Sequence, residues 1–380
     1  MCHEMKFLIL NNDYPDFSRS LYANNPRLRT APYSEQMKAR NQSLFGMADF
    51  CSYNLIKLGH EAQEIHPNIS YMQAAWAKEK GFKPPYQTPY IIRLRRGIVP
   101  WISPRWDPDK RWLKSILAEQ IRRYKPDVVL NQSMDSLDNS WLKELKPYMR
   151  LLVGQLAAPL PNDEDFSGYD LFISSLPNYV DYFRKLGIPS ELNRLGFEPR
   201  VLDHLDLSQS PKTAVSFIGS LSTHHTDRCK LLNNIAQTHP LDAWGLMGAP
   251  LPKKSPLLKR FHGRAWGIDM YQAIHDSRIT LNQHIGISGP YANNMRLYEA
   301  TGVGAMLLTD WKENLSDMFE PGREVAVYKD EKECSEKIAY YLEHENERAE
   351  IARAGQKRTL SEHNYLNRMQ EFTEIIKKII

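Results

Sequence analysis

Short unbroken apolar runs along the chain alternate with longer stretches in which apolar residues recur every three or four positions. This alternation predicts buried parallel strands separated by amphipathic helices. In the first half, residues 6–11 predict a strand, residues 35–58 a long helix ending at Gly59, and residues 62–65 a second strand. Residues 112–124 have helical spacing and stop at Pro126, ahead of a third strand at 128–130. Residues 151–155 and 171–174 read as further strands, and 178–186 as a helix closed by Gly187.

The pattern then breaks. Residues 197–212 are polar and marked by Pro199 and Pro211, which predicts a linker between two α/β domains, 1–196 and 213–362. The second half restarts the alternation with strands at 214–218, 242–246, 279–282, 305–310 and 324–328, and helices at 228–238, 270–275, 331–344 and 345–359. A last helix from Tyr365 carries Leu366, Met369, Phe372, Ile375, Ile376 and Ile379 at three- and four-residue steps, an apolar stripe that requires a partner. Residues 363–380 are expected to cross back onto the first domain.

The richest chemistry lies in Asn293-Asn294-Met295-Arg296-Leu297-Tyr298-Glu299-Ala300-Thr301-Gly302. It reads as a helix opened by an Asn cap and closed by glycine, running into the strand at 305–310. The N-terminus of such a helix attracts phosphate, and the Glu299 carboxylate, two turns in, can accept hydrogen bonds from two hydroxyls. Phosphate at one end and a diol further in suit a nucleotide sugar.

At 380 residues the chain exceeds the usual size of one core. Its 42% hydrophobic and 25% charged residues are those of an ordinary globular protein, not of a disordered or fibrous one. No run approaches the roughly 20 apolar residues of a membrane span, and the first strand is too short for a signal peptide. Cys2, Cys51, Cys229 and Cys334 are scattered without zinc spacing, which points to a reduced, cytoplasmic setting. The net charge of +4 is concentrated in residues 93–125, where ten Lys/Arg face three Asp/Glu and Trp101, Trp106 and Trp112 are interleaved. That segment is either a solvated basic face or a surface for an anionic acceptor or the inner membrane leaflet. Nothing in the chain suggests a nucleic-acid partner.

Several stretches resemble the GT-B glycosyltransferases, and within them the branch named after the spore-maturation protein CgeB. They are Gly267-Ile268-Asp269-Met270-Tyr271, Leu281-Asn282, Arg296-x-Tyr298-Glu299-Ala300-x-Gly302 and Ala354-Gly355-Gln356-Lys357-Arg358-Thr359 with His363, together with Tyr33-Ser34-Glu35-Gln36 and Gly154-Gln155. The resemblance implies two Rossmann-like domains facing a cleft. The donor would bind mainly to the C-terminal domain, and the acceptor, a glycan, lipid or protein, would enter from the N-terminal side. The family's retaining pattern is Glu-x7-Glu, whose second carboxylate holds the donor ribose; Glu299 takes that place, and Tyr291 stands where the first would be. The family's Arg and Lys after the first strand of this domain are replaced by Ser222, Arg228 and Lys230.

The expected donor contacts are therefore Gly219, Ser220, Ser222, Asn293, Asn294, Arg296, Glu299 and Gly267, with Arg228, Arg296 and Glu299 also serving catalysis. Arg296 could equally pair with Glu299 alone, and His224 and His225 read more readily as a solvent-facing loop than as ligands. Asn11, Asn12, Asp13 and Gln155 follow buried strands and are the expected acceptor contacts, though polar turns explain them as well. No carboxylate pair near a strand end is spaced to hold a metal, so a metal-free reaction with no cofactor beyond the donor is expected. An epimerase of the same fold and a noncatalytic nucleotide-sugar or glycan binder are the competing readings.

Overall fold

The computed structural model describes residues 4–85, 90–95, 101–106, 110–134, 137, 139–160, 165–208, 210–222, 226–248, 251–292 and 294–380. The first half contains strands β1 (Lys6–Leu10), β2 (Glu61–Ile65), β3 (Tyr90–Arg95), β4 (Trp101–Trp106), β5 (Val128–Asn131), β6 (Leu151–Gln155), β7 (Leu171–Ser174) and β8 (Ser190–Leu192). The second contains β9 (Thr213–Ile218), β10 (Leu241–Trp244), β11 (Ser277–Asn282), β12 (Met306–Asp310) and β13 (Ala326–Tyr328). They form two parallel sheets, ordered β2-β1-β5-β6-β7-β8 and β10-β9-β11-β12-β13, and β3 pairs with β4 as an antiparallel hairpin.

Alternation along each central strand explains why both faces are covered. Phe7, Ile9, Val128, Leu130 and Val153 enter one core with Phe50 and Phe372, while Leu8, Leu10, Val129, Leu152 and Phe172 enter another with Leu117, Ile121 and Phe183. Parallel strands buried on both faces need this nearly continuous apolar sequence.

The expected helix at 35–58 is two helices, Tyr33–Gln42 and Phe50–Lys57. Leu44, Gly46 and Ala48 between them all have positive φ, at 51°, 61° and 39°, which no helix can carry through. The β3–β4 hairpin and the short β8 are absent from the expected element order.

The two crossings between halves are bonded to one another. Phe197 N–H donates to the His363 carbonyl at 2.8 Å, and Tyr365 N–H donates to the Phe197 carbonyl at 3.0 Å. The Phe197 ring lies against Gly302, where an added Cβ would stand 2.4 Å from the ring. The last helix, Tyr365–Lys377, then packs on the first half, with Phe372 5.9 Å from Phe7 and Tyr365 5.0 Å from Phe50 between ring centroids. Its buried stripe is narrower than expected: Tyr365, Met369, Phe372 and Ile376 are covered, whereas Leu366 and Ile379 are exposed.

The halves also meet through Tyr14, Phe17 and Phe45 against Trp266, and through an Arg264–Asp16 ion pair at 2.6 Å. Gly267 approaches the Ser43 carbonyl so closely that a Cβ would sit 1.8 Å from the oxygen. Among the described residues no helix is long and apolar enough to cross a membrane.

Candidate donor and acceptor sites

The C-terminal ends of β9, β11 and β12 converge beside the N-terminus of helix Met295–Gly302, the edge where open parallel sheets bind ligands. Asn294 caps that helix by accepting from Leu297 N–H at 3.3 Å, and its amide donates to Asn282 Oδ1 at 2.9 Å, which ties the helix to the end of β11. Glu299 is 5% exposed and its carboxylate lies 2.9 Å from Arg296 Nη1. Burial raises the Glu299 carboxyl above its ordinary range, and Arg296 opposes that rise. The angle at Nη1 is too poor for a hydrogen bond, and Arg296 Nε and Nη1 are buried without an acceptor. Arg296 is thus paired in charge yet retains two nitrogens with N–H groups to give.

Arg228 turns inward from helix Thr226–Thr238 and bridges two loops, donating to the Ser220 carbonyl at 3.2 Å and the Gln283 carbonyl at 2.8 Å. Its Nε has no acceptor among the described residues. Lys230 is exposed, so it does not stand beside Arg228 as a second cation. Ser222 is half-buried at the start of the same loop.

Two expected donor contacts are used otherwise. Gly219 N–H donates to the Trp244 carbonyl at 2.9 Å, which removes it as a phosphate ligand. Its neighbourhood is tight because Gly245 approaches its carbonyl. Gly267 lies where the halves touch, with the Ser43 carbonyl filling the space over its α-carbon. Asn293, His224 and His225 lie outside the described residues.

On the N-terminal side, Asn12 is exposed, but Asn11 and Asp13 are not. Asp13 accepts two hydrogen bonds from Arg40, which is buried, and stands 2.9 Å from His66 Nδ1. Burial alone would raise the Asp13 carboxyl, but His66 and Arg40 overcome it and hold the group well below the usual carboxylate range. Both oxygens are taken, so Asp13 does not present a base to an acceptor. Asn11 donates to Glu64 at 2.6 Å, and burial pushes the Glu64 carboxyl up to about 8 despite a hydrogen bond from Ser52 N–H. Gln155, half-buried at the end of β6, lines a small cavity with Gln132, Asn193, Tyr365 and Arg368. The larger groove, about 700 Å³, runs along the last helix past Arg194, Arg358 and Glu371, away from Glu299.

His284 and Asp310 escape a motif-based reading. His284 lies two residues beyond the end of β11, Asp310 ends β12, and the pairing of Asn282 with Thr309 brings them together. Both His284 N–H, at 3.0 Å, and Nδ1, at 2.7 Å, meet Asp310 Oδ1. Polar residues just past the ends of adjacent strands were the available signal. Among the described residues no three His, Cys, Asp or Glu side chains are grouped to hold a metal ion.

Residues 228–374 match the glycosyl transferase-like family. That span holds Arg228, His284, Arg296, Glu299 and Asp310. No curated protein sequence matches the chain. Among solved structures, Anabaena HepE in complex with UDP and glucose is similar at 14% identity over 99% of this chain and 100% of its own, with a TM-score of 0.57. A glycosyltransferase from Rickettsia africae is similar at 11% identity, 99% of each chain and a TM-score of 0.56. Sucrose-phosphate synthase from Thermosynechococcus elongatus is similar at 10% identity, 98% of this chain, 99% of its own and a TM-score of 0.55. Identities this low speak to fold, and the fold is GT-B: two Rossmann-like domains with the last helix returned to the first.

Proposed function

We propose that the chain transfers a hexose-like sugar from a nucleoside diphosphate to a glycan, lipid-linked or protein acceptor, with retention and without a metal ion. The observation that carries this reading is the buried Glu299 carboxylate on the Asn294-capped helix, with Arg296 and Arg228 at its phosphate-attracting end. The family match over this segment and the UDP and glucose held by a protein of the same fold support a nucleotide-sugar donor. The motif Arg296-x-Tyr298-Glu299-Ala300-x-Gly302 supports the CgeB-like branch.

In this scheme Glu299 accepts from the ribose diol. As the bond from the sugar carbon to the diphosphate breaks, its electron pair passes to the phosphate oxygen, where Arg228, Arg296 and the helix N-terminus hold the charge. The acceptor oxygen bonds to the same carbon and its proton leaves with the diphosphate, so no base such as Asp13 is required. The basic stretch 93–125 attracts an anionic acceptor or a membrane-linked carrier to the N-terminal side from the cytoplasm.

The test is a hydrolysis and transfer screen of UDP-, GDP-, dTDP- and CMP-sugars in EDTA, read as released nucleotide. Turnover of one donor at full rate in EDTA is expected. Failure to bind or turn over any of them would overturn the glycosyltransferase reading, and rescue only by Mg²⁺ or Mn²⁺ would overturn the metal-free part.

A further inference from the structure

Building on the glycosyltransferase reading, we propose that His284 is a further catalytic residue of the diphosphate site. Held by Asp310, its imidazolium donates from Nε2 to a phosphate oxygen as a further positive group beside Arg228 and Arg296.

Four observations converge on this assignment. First, helix Thr226–Thr238 brings one cation to the site and not two: Arg228 faces inward, while Lys230 on the same helix is exposed. Second, His284 belongs to the same loop as the Gln283 carbonyl that Arg228 grips, so the two side chains are anchored at one place. Third, the ring is fixed before any ligand arrives. Asp310 Oδ1 meets both the backbone N–H and Nδ1 of His284, which leaves Nε2 as the nitrogen free to serve a ligand. Fourth, His284 is 7% exposed, and Nε2 is buried with no hydrogen-bond partner among the described residues. Buried polar atoms are nearly always satisfied, so such a nitrogen calls for a missing partner.

Arg228 Nε, Arg296 Nε and Arg296 Nη1 share that condition. These donors come from three separate segments and lack acceptors together, and a diphosphate is rich in acceptors and carries no donor of its own. Charge-assisted hydrogen bonds from an imidazolium would strengthen as negative charge builds on the leaving oxygen.

The ionisable groups gathered around the His284–Asp310 pair are Lys312, 3.6 Å from Asp310, Arg228 from helix Thr226–Thr238 and Tyr328, both of which interact with Asp310, and Arg296 from helix Met295–Gly302, which interacts with Arg228.

The experiment measures binding of UDP-glucose, GDP-mannose, dTDP-glucose and ADP-glucose by calorimetry between about pH 6 and 8, the imidazole range. Their diphosphates keep constant charge there, so any change belongs to the protein. Wild-type affinity for the donor that binds should fall about tenfold as pH rises, the direction opposite to titration of Glu299. The fall should vanish in His284→Gln, and His284→Ala should lose about tenfold at the acid end while binding the free nucleoside normally. Asp310→Asn should shift the fall to lower pH; it serves as the test if His284→Ala does not fold. A flat wild-type profile, or an unchanged profile in His284→Gln, overturns the assignment while leaving the glycosyltransferase reading standing. Absence of binding to all four donors by the wild type overturns both.

Discussion

Glu299→Gln should remove recognition of the ribose diol while keeping the shape of the site. The wild-type carboxylate can accept two charge-assisted hydrogen bonds, each worth about 1.5–3 kcal/mol. Against this stands the 2.9 Å pairing with Arg296, part of which is given up when the ribose binds. A net loss of about 3 kcal/mol, or roughly 150-fold in dissociation constant, is the expected cost. Glutamine keeps an oxygen for Arg296, which avoids stranding a buried charge as alanine would. Calorimetry should be run with UDP, or whichever nucleoside diphosphate binds, and with its 2′,3′-dideoxy analogue, on both proteins. The wild type should bind the dideoxy compound about as weakly as Glu299→Gln binds the natural one, and the variant should scarcely distinguish the two, because both changes delete the same interaction. If the variant still prefers the natural diol by the wild-type factor, Glu299 is not the ribose ligand. Burial raises the Glu299 carboxyl, so donor affinity should also fall on acidification earlier than an ordinary carboxylate would allow.

Three further outcomes are expected. Gly302→Ala should cost about 1–3 kcal/mol in urea unfolding, because the new methyl meets the fully buried Phe197 ring, and Phe197→Leu should recover part of it; unchanged stability would mean that the crossing is not packed as described. Glu64 holds its proton up to about pH 8 when folded but only to about 4.5 when unfolded, so the folded state binds the extra proton across that window and its stability falls as pH rises. Wild-type melting temperature should therefore drop relative to Glu64→Gln from about pH 5 to 8, and parallel curves would refute it, whereas Asp13, held low, loses its contribution only below the usual carboxylate range. Reversing Arg95, Arg96 and Lys110 to glutamate should raise the acceptor KM at low salt and leave nucleotide binding unchanged, since attraction between charges through solvent is screened over about 10 Å at 0.1 M; an unaltered KM in the folded triple variant would make the segment a plain solvated face.

The central strands were legible because parallel strands covered on both faces must be apolar throughout, as in Phe7-Leu8-Ile9-Leu10 and Met306-Leu307-Leu308. Helix Met295–Gly302 was legible from its cap and its glycine. The break between Gln42 and Phe50 was not, since Leu44, Phe45 and Ala48 keep up an apolar look while their backbone leaves the helix. The β3–β4 hairpin was hidden by its charge and by Pro104, which suits an edge rather than a core strand. At the site, residue type was readable and direction was not. Nothing in the sequence tells that Asp13 faces Arg40 and His66, that Gly219 N–H serves Trp244, or that Lys230 points outward. His284 and Asp310 are 26 positions apart, and only the register of β11 on β12 makes them neighbours.

The paired crossings have a mechanical consequence. A single connecting chain is a string, free to swivel; two chains bonded side by side through Phe197, His363 and Tyr365 form a strap. A strap bends readily across its width but resists twist, and the aromatic wedge of Phe197 in the groove left by Gly302 stiffens it further. Were the two lobes to open and shut, the strap would confine them to one hinge-like freedom, and each closure would return Trp266 to the same seat against Phe45 and Phe17. Alignment would then be built into the axle rather than rediscovered at the lip on every closure.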